Sequence, residues 1–421
     1  MKFRRSGIVL RSFRVENHKS IRDELELVFA PQYDKSRLVV PVTAIFGANA
    51  SGKSNLLDAL RWLQDAVRHS YASWEPGAGV PRAPFALDPD AAAKPSGYAV
   101  DVVIDGLRHS YGAIVDGQRV REEWLHTFPH GRRRSVFERT AAGIKLGSAV
   151  GDRRGLGKLL ERQTRPNALF LGVAAQNDLP DVQAIYEWFR SGILFGSRDA
   201  VAQADLVRLL EDDEERDAVV SLILAADLGL SDVTTVDFEA APTMDISDVP
   251  LGMVTGYLAG QPAQALVFRH GKHRAPLSLA DQSAGTRSWI ALVTQALTAI
   301  RRGGLLVVDE IDASLHPHLS AQLARLFREP EVNTLGAQLL FSTHDATLLD
   351  GDTLARDEVW FVDKDADTGV TDLYALSEFH PRKNEDTEGR YLAGAYGAVP
   401  VLSISALANA VRDRRERDAQ A

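Results

Sequence analysis

Short apolar runs alternate with amphipathic stretches along this chain, and the alternation predicts where strands and helices lie. The apolar runs Ile8–Val15, Leu25–Phe29 and Val39–Phe46 predict three strands near the start. From residue 53 onward, apolar side chains recur at the spacing of a helix, which predicts one buried helix face. That face consists of Leu56, Leu57, Leu60, Leu63 and Val67.

The middle of the chain divides into three segments with different sequence patterns. Residues 71–97 are rich in proline, alanine and glycine, which predicts a surface loop. Residues 98–147 predict a β-meander, because the turn pairs Asp105-Gly106 and Asp116-Gly117 separate strand-like runs. Residues 156–230 follow a mostly helical pattern.

The last third of the chain alternates helical and strand-like runs, and such alternation is typical of a mainly parallel sheet. In this part we expect helices over 285–301 and 318–328, and strands over 305–308, 338–342, 359–362 and 372–376.

These patterns predict an α/β fold in a single domain, 1–421, with a mixed or parallel core sheet. We expect the core to combine residues 1–70 with residues 260–400. An antiparallel β lobe over 98–150 and a helical insertion over 156–235 would lie between these two parts.

The loop between the third predicted strand and the first predicted helix carries a phosphate-binding pattern, G-x-x-x-x-G-K-S. Its residues are Gly47, Ala48, Asn49, Ala50, Ser51, Gly52, Lys53 and Ser54, and Asn55 follows. A strand before the loop and a helix after it are the context that confirms a P-loop. Backbone N–H groups at the positive helix end can cradle phosphates, and Lys53 adds a charge for the β- and γ-phosphates. The Ser54 hydroxyl can ligate Mg²⁺, so the loop predicts binding of ATP and Mg²⁺.

Two further polar groups follow predicted strands at the sheet edge where ligands bind in parallel sheets. Asp309 and Glu310 come directly after the apolar run Leu305–Val308. Asp309 would lie in the Mg²⁺ shell beside Ser54, and Glu310 would orient or deprotonate the attacking water. His344 follows the next strand and can contact the γ-phosphate or hold that water.

The order of these segments resembles the ATP-binding-cassette ATPases, and most of all their chromosome-maintenance and DNA-repair branch, which includes RecF. In this resemblance Asp312 to His316, with Ser314, stands for the D-loop, and His344 for the switch histidine. The signature motif at a helix start is Ser283, Ala284, Gly285 and Thr286. Lys19, in Asn17-His18-Lys19-Ser20, stands for the early basic residue that approaches the phosphates.

The chain is also similar to the short bacterial ATPases of the RloA or abortive-infection type, which are associated with phage defence. It shares with them the loop G-A-N-A-S-G-K-S-N, the run D-E-I-D-A-S-L-H-P and a tail over 382–400. This resemblance implies an ATPase component of an anti-phage system that acts with a separate effector, a nuclease or a toxin. A RecF-like ATPase that clamps and repairs DNA is the alternative.

Three positions depart from the transporter-type pattern. Ala50 replaces a common glycine, and the signature reads Ser-Ala-Gly-Thr instead of Ser-Gly-Gly-Gln. Gln176 is the candidate glutamine-loop ligand of Mg²⁺, and a solvent-exposed glutamine is the alternative for it.

One P-loop and one signature in a single chain imply, by the same resemblance, a homodimer that sandwiches ATP between two copies. The chain between Ser54 and Ser278 sustains no heptad pattern, so we expect no long coiled coil.

Composition and charge limit which binding partners and which cellular location we expect. The chain has 421 residues, a net charge of −9 and no cysteine. This charge gives no global footprint for nucleic acid, so binding to DNA would need a local basic patch. Arg132-Arg133-Arg134 is one candidate, although a solvated hairpin is the favoured interpretation. The missing signal peptide, membrane span and cysteines lead us to expect a cytoplasmic protein without membrane partners.

Overall fold

A computed structural model of the chain describes residues 7–147, 150, 154–197, 203–211, 213–226, 229–237, 264–271, 275–313, 315–382 and 385–399. These residues form three sheets with helices packed between and around them. The predicted α/β fold is confirmed, since parallel and antiparallel sheets occur together with helices in one chain.

The strands of the described residues, in chain order, are β1 (Ile8–Glu16), β2 (Leu25–Val28), β3 (Val42–Phe46), β4 (Ser96–Ile104), β5 (Leu107–Val115), β6 (Val120–Thr127), β7 (Arg134–Thr140), β8 (Gly143–Leu146), β9 (Ile193–Phe195), β10 (Leu230–Asp237), β11 (Gln264–His270), β12 (Ala275–Leu277), β13 (Leu305–Val308), β14 (Gln338–Thr343), β15 (Val359–Lys364) and β16 (Thr371–Ala375). The α-helices are α1 (Lys53–His69), α2 (Pro89–Ala93), α3 (Arg154–Gln163), α4 (Phe170–Gln176), α5 (Pro180–Glu187), α6 (Gln203–Glu211), α7 (Asp213–Leu224), α8 (Ala284–Arg302), α9 (Pro317–Arg328) and α10 (Thr387–Leu392).

The core sheet has six strands in the order β16-β15-β3-β14-β13-β9. All neighbouring pairs run parallel except β15 and β16, which form an antiparallel hairpin at one edge. Parallel strands need crossover connections, and helices supply most of these connections here. The alternating pattern of the last third therefore folds as predicted.

Helices cover both faces of this core sheet, as parallel strands require. Along β13, Leu305 and Val307 belong to the hydrophobic core that contains α1, α4 and α5. Leu306 and Val308 belong to a second core, which contains α6 to α9. Side chains alternate between the two faces of a strand, so one continuous apolar run serves both cores.

The predicted β-meander forms within a seven-stranded antiparallel sheet of order β2-β1-β4-β5-β6-β7-β8. The first two strands join it, so the start of the chain contributes to both large sheets. In the β6–β7 hairpin, Arg133 Nη2 lies 2.8 Å from Glu138 Oε1, which agrees with the interpretation of a solvated hairpin. A third sheet, β10-β11-β12, precedes α8.

Two regions contain elements that their sequence patterns did not indicate. The segment 156–235 contains the helices α3 to α7, but β9 also joins the edge of the core sheet beside β13, and β10 joins the third sheet. The loop 71–97 contains α2 and the start of β4, and it buries Val80 and Phe85. None of the described helices is long and apolar enough to cross a membrane.

A buried glutamine joins the antiparallel sheet to the core sheet. The Gln338 side chain, at the start of β14, accepts from Leu10 N at 2.6 Å and donates to Leu10 O at 3.0 Å. β2 pairs with β1 only over Ser12–Val15, so no residue of β2 lies opposite Leu10. The Gln338 amide makes the hydrogen bonds to Leu10 that a neighbouring strand would make. The side chain therefore satisfies two backbone groups that would otherwise be buried without partners.

Gln338→Leu should lower the free energy of unfolding by about 2–4 kcal/mol, because it leaves a buried N–H and a buried C=O unpaired. Gln32→Leu, at an exposed glutamine, is the matched control and should change it by less than about 0.5 kcal/mol. Urea unfolding of both variants measures the difference. Equal stability of the two variants would show that the amide does not link the sheets.

Candidate nucleotide-binding site

Three neighbouring strands bring the predicted site residues to one edge of the core sheet. β3 ends at Phe46 and leads into the loop before α1, β13 ends at Val308, and β14 ends at Thr343. These strands are parallel neighbours in the order β3-β14-β13, so their carboxyl ends lie together. The loop 47–52, the carboxylates after β13 and the histidine after β14 therefore share this edge.

The loop 47–52 has a conformation that restricts its residue types. Ala50 and Gly52 have φ angles of 65° and 116°, in the region that favours glycine. A Cβ atom on Gly52 would lie 2.3 Å from Thr371 Oγ1, and one on Gly47 would lie 2.4 Å from Val362 O. Neither position has room for a side chain. Ala50, which replaces a common glycine, adopts the left-handed conformation at an exposed position.

Lys53 places a buried cation at the base of the loop. Its Nζ donates to Gly47 O at 2.7 Å and to Ala48 O at 3.0 Å. Burial lowers the pKa of Lys53, and the nearby carboxylates of Glu310, Asp309 and Asp312 act in the opposite direction. The ammonium is therefore curled back onto the loop within reach of three anions.

A buried hydroxyl in the loop lacks a hydrogen-bond partner among the described atoms. This hydroxyl is the Oγ of Ser51, a residue that is 3% exposed. Unpaired buried polar groups are costly, and an acceptor-rich phosphate would satisfy this one. The loop residues Asn49 and Ala50 and the first-turn residue Ser54 are exposed at the same end. These features fit a bound nucleotide phosphate, with Ser54 free to contact its metal ion.

Two distant segments hold the loop from the side. Thr371 Oγ1, on β16, lies 2.9 Å from Ser51 O and 2.7 Å from Ser20 Oγ. Asn55 Nδ2 donates to the same Ser20 oxygen at 2.7 Å. The early segment around Ser20 and the hairpin at the sheet edge therefore meet on the P-loop.

An aromatic cluster supports β3 from behind. The Phe361 ring on β15 stacks on Tyr391 and Tyr396, with ring centroids 5.5 Å and 5.4 Å apart. Tyr391 also contacts Phe46, the last residue of β3, at 6.0 Å. Residues of the tail over 382–400 thus pack against the end of the strand that leads into the P-loop. Lys383, Asn384 and Pro400 of this tail lie outside the described residues.

Ser342 organises the two carboxylates after β13. Its hydroxyl donates to Asp309 Oδ1 at 2.5 Å and accepts from Glu310 N at 2.7 Å. Its carbonyl oxygen accepts from Ile311 N at 3.0 Å. Glu310 has a φ angle of 50°, a left-handed conformation that costs energy for a residue with a side chain. The end of β14 therefore holds the strained turn that carries Asp309 and Glu310.

His344 lies beside Asp312, with Nδ1 2.9 Å from Oδ2. The imidazole is 55% exposed, whereas the Asp312 side chain is 6% exposed. Both groups lie at the same edge as Lys53, whose pKa responds to the Asp312 charge. Ser314, the other predicted D-loop residue, lies outside the described residues.

The predicted signature residues start α8. Ser283 is its N-cap, and its Oγ accepts from Thr286 N at 3.1 Å. Ser283 and Ala284 are exposed, Gly285 is partly exposed and Thr286 is buried. The first residues of α8 are therefore exposed, while the rest of the helix packs in the second core.

Two predicted site residues have surroundings that the sequence did not indicate. Lys19 Nζ lies 2.6 Å from Asp58 Oδ2 on α1, and His18 Nε2 contacts the same oxygen at 2.9 Å. The His18 hydrogen bond, with help from Lys19, lowers the pKa of Asp58 to about 2. Gln176 is exposed at the end of α4, not at the end of a strand. Their predicted roles at the phosphates and at Mg²⁺ stay predictions.

Sequence reasoning assigned no role to Ser342, Thr371 or the end of β9. A hydroxyl at a buried strand end beside carboxylates is a signal for Ser342. Beyond β9, Gly196 N donates to Val307 O at 2.7 Å, and the Gln295 side chain bonds both backbone groups of Ser197. The short apolar run before Gly196 was the available signal for this strand.

Comparisons with solved structures return distant likenesses. The SMC head domain from Thermotoga maritima is 14% identical over 87% of this chain and 98% of that chain, with a TM-score of 0.42. RecF with ATP, described as the recombination mediator protein of the RecFOR pathway, is 12% identical over 89% and 100%, with a TM-score of 0.37. cbiO1 from Clostridium perfringens, part of the ABC transporter complex cbiONQ, is 11% identical over 93% and 96%, with a TM-score of 0.32. No curated protein matches the chain.

A family model matches residues 42–350, which is more than half of the chain. The matched span includes the P-loop, the signature, the carboxylates after β13 and His344. Its description reads "AAA domain, putative AbiEii toxin, Type IV TA system". The chain therefore belongs to this AAA-domain family.

Proposed function

We propose that this protein binds ATP with Mg²⁺ at the edge of the core sheet and hydrolyses it there. The observation that carries the proposal is the Ser342 bridge, which joins Asp309 and Glu310 beside the P-loop lysine. Lys53 would bind the β- and γ-phosphates, and the loop N–H groups from Gly47 to Ser54 would cradle them. Ser54 and Asp309 would hold Mg²⁺, which neutralises phosphate charge when bound.

Glu310 is the proposed general base. The oxygen of a water molecule would bond to the γ-phosphorus while the bond from that phosphorus to the bridging oxygen breaks. The electron pair of that bond would leave with ADP, and a water proton would move to the Glu310 carboxylate. The left-handed backbone at Glu310 supports this role, because strained residues cluster where a side chain needs a special orientation.

The proposed active form is a homodimer in which each signature completes the partner's site. The exposed Ser283 and Ala284 at the start of α8 support this arrangement, since free helix N–H groups attract phosphate. A two-fold dimer would contain two such composite sites. ATP would then act as the contact that joins the two copies.

The proposed biological role is the ATPase component of a bacterial anti-phage system, acting in the cytoplasm with a separate nuclease or toxin. The support is the family description, which names a toxin and a type IV TA system, together with the shared loop and tail patterns. A neighbouring gene for a nuclease or toxin would support this role, and a neighbourhood of recombination genes would contradict it.

Glu310→Gln should keep ATP binding but lower the hydrolysis rate by roughly 100-fold or more, because the amide cannot accept the water proton. Released phosphate measures turnover, and size-exclusion chromatography with ATP should show an accumulated dimer. Glu329→Gln, at an exposed glutamate, is the matched control and should hydrolyse ATP at the wild-type rate. Wild-type turnover by Glu310→Gln would remove Glu310 from the mechanism.

Ser283→Arg should leave ATP binding by a single chain nearly unchanged and stop turnover, because the arginine blocks the partner's site. Mixing it with Lys53→Ala chains should restore at most one competent site per heterodimer. The measurement is the hydrolysis rate against the mixing ratio. Partial recovery at equal amounts is the expected result, and full activity of Ser283→Arg alone would contradict the composite site.

A further inference from the structure

A buried acid holds the exposed histidine at the site. Asp312 Oδ2 lies 2.9 Å from His344 Nδ1, and the acid is 6% exposed while the imidazole is 55% exposed. An ionised carboxylate only accepts hydrogen bonds, so a hydrogen bond formed at this contact would place the hydrogen on Nδ1. The other ring nitrogen, Nε2, would then lie on the far side of the imidazole from Asp312. Such a bond would fix both the tautomer and the direction of the ring.

The topology places this pair where hydrolysis is proposed. His344 follows β14, which lies between the P-loop strand β3 and the carboxylate strand β13. Asp312 lies two residues after Glu310 and interacts electrostatically with Lys53. Glu310 and Asp309 are the other charged groups that act on Lys53 there.

The second oxygen of Asp312 is a further observation. Asp312 Oδ1 is buried and makes no hydrogen bond within the described part of the chain. A buried carboxylate with an unsatisfied oxygen is expensive to maintain. An asparagine could fill the same space, so packing alone does not require the acid. The negative charge itself is therefore the feature to explain.

We propose that Asp312 is a positioning residue that acts through His344, holding Nδ1–H so that Nε2 faces the γ-phosphate and the attacking water. This inference rests on the proposed ATP hydrolysis at this site. The resemblance implies that Asp312 contacts the nucleotide directly. The role proposed here is indirect, because Asp312 acts through His344. The acid serves the imidazole in the way that outer hydrogen-bond partners serve functional histidines elsewhere.

The first experiment is a double-mutant cycle in the full chain with Asp312→Asn, His344→Ala and the double variant. Asp312→Asn should lower kcat by roughly 10- to 100-fold, the range for loss of such a partner, with KM for ATP nearly unchanged. The double variant should be no slower than His344→Ala, because the acid acts through the imidazole. Asp352→Asn, at an exposed aspartate, is the matched control and should keep wild-type turnover.

The second measurement reads the tautomer of His344 in the wild-type protein. Nitrogen NMR of histidine-labelled wild-type protein reports which ring nitrogen of His344 carries hydrogen, with His344→Ala used to assign the signal. The Nδ1–H form is the expected result, and Asp312→Asn should shift the signal toward a mixture of tautomers. A wild-type Nε2–H form would overturn the proposal.

The outcomes separate this inference from the proposed function. If His344→Ala hydrolyses ATP like the wild type, the proposed role of His344 fails. If His344→Ala is slow but Asp312→Asn turns over normally, only the inference fails. Losses that add up in the double variant, or a loss of ATP binding by Asp312→Asn, would show a direct contact and also overturn it.

Discussion

The buried ammonium of Lys53 is the constraint on which the rest of the site depends. Burying a cation costs desolvation free energy, which nearby oxygen atoms must offset. The fold places such oxygen atoms around Lys53 from two directions. The carbonyl oxygens of Gly47 and Ala48 come from its own loop, while the three carboxylates come from the chain after β13. Lys53 can be buried there only because parallel strands end at one edge, so sheet topology and site electrostatics are linked.

In the network around that edge, single hydroxyl groups each bond two segments of the chain. Ser342 bonds both carboxylate residues of the turn after β13, and Thr371 bonds the P-loop and the early segment at Ser20. The aromatic cluster of Phe361, Tyr391 and Tyr396 supports the strand that enters the P-loop. Residues from the start and from the end of the chain therefore meet at the P-loop.

Hydrophobic patterns along the chain predicted the strands and helices that carry a clear apolar run or an apolar face. The strand Leu305–Val308 forms with its expected bounds, and the helix face with Leu56, Leu60 and Leu63 is buried. β9 escaped prediction because three apolar residues become a strand only through pairing with β13, far along the chain. Thr371 had no local signal, since its partner Ser51 is 320 residues away in sequence. Lys19 shows the same limit, because its ion pair with Asp58 exists only once α1 packs beside the early strands.

Calorimetric titration with Mg²⁺ and ATP tests most directly whether the loop with Lys53 binds the phosphates of ATP. The wild-type chain should bind one ATP per copy. Lys53→Ala should bind roughly 100-fold more weakly or not at all, because charge-assisted bonds to phosphate are lost. Lys35→Ala, at an exposed lysine, should bind like the wild type. Equal affinity of Lys53→Ala and the wild type would contradict the account.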